Sequence, residues 1–221
     1  MKDRRENKTA SGFSIIELLI AMTIMLVVLG LAANLFSKSL STRQRESSRT
    51  DALTAAQAAL NVMSREIANS GYGLLDNGLV LPPSPASPNA GKEKLHFLSN
   101  INNTNGVVTD PGENITYFFD TSTESILRYD ANEKGINQPQ TSVIINRISK
   151  VEFLYFDYLN STLTPPPAQP PPTYIPTVNT SRIRVKITVS LENVQGQTTN
   201  QSVVLVSDVT LRNSDYMLQQ Y

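Results

Sequence analysis

An apolar run from Phe13 to Phe36, interrupted only by Ser14, Glu17, Thr23, Gly30 and Asn34, follows a polar first dozen residues. As a helix rising 1.5 Å per residue, these roughly 24 positions cover about 36 Å, enough for a hydrocarbon core of about 30 Å. That predicts a membrane-spanning helix. No proline or glycine follows between Ser37 and Ser70. Instead Leu53, Ala56, Leu60, Met63 and Ile67 recur at spacings of three and four, one apolar stripe on a helix. Arg43, Arg45, Glu46, Arg49 and Asp51 lie just before the stripe, in a polar stretch that should be solvated. Gly71 is a candidate C-cap, with Gly73 close behind. The pattern therefore predicts one helix of more than about fifty residues, half apolar all round and half amphipathic.

A loop rich in proline, serine and asparagine (Leu81 to Gly91) then separates the helix from segments of a different period. "KLHFLS" (94–99), "NITYFF" (114–119) and "SILRYD" (125–130) are short and rich in aromatic or β-branched residues. "TSVIINRIS" (141–149) runs directly into "KVEFLYFDY" (150–158). "TPPPAQPPPTYIP" (164–176) lacks the donors for a ladder and predicts an extended, exposed loop, an interaction tip or a linker with equal claim. In "RIRVKITVSL" (182–191), Ile183, Val185, Ile187, Val189 and Leu191 alternate with Arg182, Arg184, Lys186, Thr188 and Ser190, a half-buried antiparallel strand. "ENVQGQ" turns it into "NQSVVLVSDVTLR" (200–212), completing a long hairpin. A sheet with one apolar face and a helix with one apolar stripe bury each other, so the expected class is α+β: a long N-terminal spine helix packed on a C-terminal antiparallel β-sheet.

Composition narrows the chemistry. The chain has 221 residues, with 19 basic and 19 acidic side chains that cancel. A nucleic-acid partner would need a basic stripe, and none stands out. There is no cysteine and no tryptophan, and His96 is the only histidine. Thiolate metal sites and histidine-based triads are therefore excluded. His96 reads as a strand residue, not a ligand. Asp110, Glu113, Asp120, Asp130 and Asp157 are scattered without the dense alternating spacing of a calcium loop. No metal, no cofactor and no enzymatic activity are expected.

Glu17 is the anomaly. A carboxylate inside a spanning helix costs about 2.5–3.5 kcal/mol on insertion scales, so such a residue usually has a partner. Snorkelling from the helix start is one answer. A secretory signal peptide, with its small-residue site near "LGLAA" (29–33), is disfavoured by the early glutamate and by the uninterrupted amphipathic continuation. Lys2, Arg4, Arg5 and Lys8 place the first dozen residues on the cytoplasmic side and the remainder on the far side.

The run Gly12-Phe13-Ser14-Ile15-Ile16-Glu17-Leu18-Leu19-Ile20-Ala21 resembles the class III signal of type IV pilins and type II secretion pseudopilins. That pattern is a short basic leader ending in Gly, an aromatic Phe, a small hydroxyl residue, and Glu five positions after the Gly. Ile15 departs from it, where Leu is usual. The resemblance implies that prepilin peptidase cuts between Gly12 and Phe13 and methylates the Phe13 amine. It also implies that Glu17 pairs with that amine on a neighbouring subunit, setting axial register. The expected parts are a leader (1–12), a transmembrane and filament-core helix (13–36), an amphipathic half-helix (37–71) and a periplasmic β-rich head (72–221). The large head and the ending "IRVKITVSLENVQGQTTNQSVVLVSDVTLRN" are similar to minor pilins of the PilW type, with the J-type pseudopilins sharing the plan. The cysteines that close a C-terminal loop in many major pilins are missing, as is the proline that often kinks the membrane helix, which leaves Gly30 as its soft point. Implied partners are other pilins or pseudopilins, prepilin peptidase and the inner-membrane assembly platform. The implied location is the inner membrane, then a filament. A membrane-anchored periplasmic binding module is the alternative of a different class.

Overall fold

The computed structural model describes residues 12–81, 91–102, 107–133, 140–158, 169–191 and 201–214. The leader up to Ser11, most of the Leu81–Gly91 loop, the first part of the proline-rich segment and the "ENVQGQ" turn lie outside the described residues. One helix, α1 (Ile15–Ala68), precedes seven strands: β1 (Lys94–Leu98), β2 (Asn114–Asp120), β3 (Ser125–Asp130), β4 (Thr141–Ile145), β5 (Ile148–Asp157), β6 (Thr180–Leu191) and β7 (Gln201–Thr210). The architecture is α+β, as the two hydrophobic periods predict. The chain forms two compact units, Met1–Ser47 and Ser48–Tyr221.

In the first unit the apolar side chains of α1 point outward on every side. Its most apolar window has a mean hydropathy of 2.7 and is 0% buried. Phe13, Ile15 and Leu35 are 82%, 79% and 69% exposed. A helix that is apolar all round needs lipid or other helices around it. The polar residues within the run are satisfied by their own chain. Thr23 Oγ1 donates to the Ile20 carbonyl at 2.8 Å, and Asn34 Nδ2 to the Gly30 carbonyl at 3.2 Å. Such back-bonding suits a polar side chain to an apolar solvent, where water is absent to bond it.

In the second unit, Ala56, Ala59, Leu60, Met63 and Ile67 bury one stripe of α1. Leu53, expected in that stripe, is only half-buried, and Ala59 takes its place in the core. Spacings of three and four allow either residue, and the burial begins one turn later than the pattern suggests. Full burial of a Leu, Ile or Met side chain stabilises by about 1.5–3 kcal/mol.

The strands form two sheets, not one. β1-β2-β3-β4 and β5-β6-β7 are each antiparallel throughout. The segment 141–158, which reads as continuous in sequence, is broken at Asn146–Arg147. Arg147 has φ 60°, a left-handed backbone that turns the chain out of the first sheet. Residues before the break pair with β3, whereas those after it pair with β6. The inner faces meet in one core that joins Leu95, Phe97, Ile115 and Tyr117 to Val151, Phe153, Tyr155, Ile183, Val185 and Ile187. The alternation in β6 is as read: Ile183, Val185, Ile187 and Val189 are buried. The proline-rich segment does join a ladder at its end, where Thr173 and Tyr155 exchange backbone hydrogen bonds of 2.8 and 2.9 Å. Threonine supplies the donor that the preceding prolines lack.

The exit of α1 is knitted tightly. Gly71 does not cap the helix through its own N–H, which instead donates to the Leu98 carbonyl at 2.8 Å. Gly71 and Gly78 have φ of 76° and 70°, and a Cβ on Gly78 would lie 2.2 Å from the Gly71 nitrogen. Only glycine permits that approach. The Asn77 amide donates to the carbonyls of Thr177, Val178 and Thr180 at 3.0, 3.2 and 3.0 Å, while Ser70 Oγ donates to the Asn77 carbonyl at 2.6 Å.

Candidate functional site: the amino-terminal junction

Gly12 and Phe13 lie just ahead of α1, both exposed and outside the helix. A Cβ placed on Gly12 would meet nothing within 4 Å. What keeps these two residues out of the helix is the residue after them. Ser14 is the N-cap: its carbonyl accepts the first helical hydrogen bond, from Leu18 N–H at 3.1 Å, and its Oγ accepts from Ile16 N–H at 3.3 Å. Glu17 completes a capping box, its Oε2 accepting from the Ser14 backbone N–H at 3.1 Å. A carboxylate in the first turn also faces the positive end of the helix dipole.

This geometry gives Glu17 a partner that the sequence reading did not assign. The resemblance gives the glutamate to a neighbouring subunit's amine; within a single chain it is held by the Ser14 N–H. The two arrangements are compatible, because a carboxylate has about four acceptor sites over two oxygens. Ser14 joins Glu17 as a residue of the site, and the spacing Ser14-x-x-Glu17 ahead of an apolar run is the sequence signature of a capping box.

The other candidates fall elsewhere and serve the head. His96 lies on β1 with Nε2 2.8 Å from Asn114 Oδ1. Burial holds its pKa below the usual imidazole value, with Lys94 adding to the effect and the Asn114 bond opposing it. Glu113, fully buried, accepts from the backbone N–H groups of Asn102 and Asp110 at 3.2 and 3.0 Å. Asp130 accepts from those of Gly112 and Asn132 at 2.6 and 3.1 Å. Asp120 caps its own turn through Ser122 and Thr123, whose hydrogen bonds lower its pKa. Asp157 accepts from Thr180 Oγ1 at 2.8 Å. These carboxylates pin loops. Among the described residues no three His, Cys, Asp or Glu side chains gather where they could hold a metal ion.

The sequence model of the prokaryotic N-terminal methylation motif matches residues 7–33. The match spans the Gly12–Phe13 junction, the capping box and most of the exposed apolar helix. The chain thus carries a class III signal and is pilin-like or pseudopilin-like in that segment. No curated protein and no solved structure matches the chain.

Proposed function

We propose that this chain is a minor pilin: a membrane-anchored structural subunit that helps to initiate a type IV pilus or sits near its tip. One observation carries the pilin-like part of the reading, and the minor role rests on the resemblance of the large head and its C-terminal run to such subunits. The methylation motif coincides with a capped helix whose first turn leaves Gly12 and Phe13 in exposed, non-helical backbone. A peptidase needs such a substrate, since a bond inside a helix is occupied by its own hydrogen bonds. Cleavage between Gly12 and Phe13 by prepilin peptidase frees the Phe13 amine, which is then methylated.

Residues 13–36 hold the subunit in the inner membrane, with the head on the periplasmic side, until the assembly platform moves it into the filament. There neighbouring helices replace lipid, and the remaining acceptor sites of Glu17 pair with an adjacent subunit's Phe13 amine. An opposite charge about 4 Å away in a medium of low dielectric offsets much of the cost of burying the carboxylate. The chain itself performs no turnover; it is the peptidase's substrate.

Mass spectrometry of the mature protein tests the reading. An N-terminal methyl-Phe13 is expected. An intact first dozen residues in cells with active prepilin peptidase, or a terminus near Ala33, overturns it. Loss of surface filaments in a deletion strain, with secretion intact, separates the minor pilin from a type II pseudopilin.

A further inference from the structure

Among the described residues, the outward face of the three-stranded sheet carries more positive charge than its own carboxylates neutralise. Lys92, Lys150 and Lys186 reach it from three segments and all end on one carboxylate, Glu152, at 3.4, 2.8 and 3.3 Å. The Glu152 side chain is 10% exposed, whereas the three lysines remain 45%, 42% and 37% exposed. One negative charge cannot satisfy three ammonium groups that also repel one another.

Further along β6, Arg184 forks onto Asp208 with bonds of 2.6 and 2.8 Å, and Arg182 reaches the same carboxylate at 3.9 Å. The Arg182 and Arg184 guanidinium groups lie over the Phe156 ring, 4.2 and 5.1 Å from its centre respectively. Even with Glu93, whose charge also acts on Lys150, and Asp157, which lines one hollow with Phe156 and Arg182, five cations stand against four carboxylates among the described residues. The whole chain has a formal net charge of zero, so this face is a local excess.

Beside the cations the face is apolar. Val204 and Val206 on β7 are 50% and 52% exposed, and Val206 lies directly opposite Lys186. A uniformly hydrophilic polyanion would satisfy the lysines and leave the valines uncovered. A protein surface with carboxylates bordering apolar side chains covers both.

We propose that the outward face of β5-β6-β7 binds an acidic surface of another protein, Lys92, Lys150 and Lys186 meeting its carboxylates and Val204 and Val206 its apolar side chains. The assignment does not depend on the filament reading.

The test uses the full chain in detergent and a fluorescein-labelled peptide of alternating glutamate and valine, followed by anisotropy, with a labelled oligothymidylate of equal charge as comparison. The peptide is expected to bind at low salt. The double substitution Lys150→Gln/Lys186→Gln weakens it about tenfold, as removal of two contacting charges should. Lys92→Gln, outside the strands, weakens it in the same direction with the sheet untouched, and Lys38→Gln on α1 leaves it unchanged. Three results overturn the assignment: no peptide binding at low salt, equal binding by the parent chain and the lysine variants, or tighter binding of the oligothymidylate.

Discussion

The hydroxyl of Tyr117, on β2, donates to the Glu66 carboxylate of α1 at 2.6 Å, and Arg128 Nε of β3 donates to the same oxygen at 3.0 Å. One helical acid thus ties α1 to two strands of the first sheet. Burial, reinforced by the Glu66 charge, pushes the Tyr117 phenol far above its usual pKa and keeps it a donor. Glu66→Ala leaves both partners without their acceptor in a part-buried place, which costs about 1–3 kcal/mol. Tyr117→Phe removes one donor only and costs about 1 kcal/mol. Thermal unfolding of the two variants checks the order.

The single histidine makes acid sensitivity readable. Because the folded pKa of His96 is lowered, the unfolded chain binds more protons than the folded one between that value and 6.5. Its stability contribution is full above 6.5 and declines as the pH falls through the window below it. His96→Gln, which has no charge to gain, should flatten the slope of unfolding free energy against pH in that interval. An unchanged slope would locate the sensitivity in the carboxylates.

At Gly78 the expected effect is larger. Alanine there would meet the Gly71 nitrogen at 2.2 Å and the Leu98 carbonyl oxygen at 2.3 Å, in a backbone of φ +70°. The left-handed conformation alone costs about 1–2 kcal/mol for a residue with a Cβ, and neither obstructing atom belongs to a flexible side chain. Gly78→Ala should lower the midpoint of thermal unfolding well beyond Tyr117→Phe. Gly30→Ala, where a Cβ meets nothing within 4 Å, should leave the midpoint unchanged or raise it slightly.

Leu60→Ala, at the centre of the buried stripe, should cost about 2–5 kcal/mol, and Leu53→Ala clearly less. Denaturant unfolding of the two variants measures the difference and maps where the helix begins to face the core.

Variants of Glu17 and Ser14 distinguish the cap that the structure shows from the inter-subunit pairing proposed for the same turn. Ser14→Ala removes the side-chain cap, at about 0.5–2 kcal/mol of local helix stability, read as faster hydrogen exchange at Ile16. Glu17→Leu should preserve membrane insertion and reduce incorporation into sheared filaments. Unchanged incorporation would show that the Ser14 contact is the whole purpose of the acid.

Much of this was legible in the chain itself. The apolar run, the stripe of Leu60, Met63 and Ile67, and the alternation of β6 each follow from a period that burial enforces. The division into two sheets was not legible, because it turns on the backbone of Arg147, and "TSVIINRIS" is β-branched on both sides of the break. Which of Leu53 and Ala59 enters the core was equally hidden, since both satisfy the helical period. The Ser14–Glu17 box is legible from its spacing alone; the cost of a carboxylate in lipid points to a distant partner, whereas the one the structure shows lies three residues away.

The knot at the end of α1 has a mechanical meaning. Asn77 grips the approach to β6, Asn213 reaches the Gly71 carbonyl, and Arg212 N–H holds the Ala68 carbonyl at 3.1 Å. Tension entering along the helix therefore arrives at several strands in parallel, and no single bond takes the whole load.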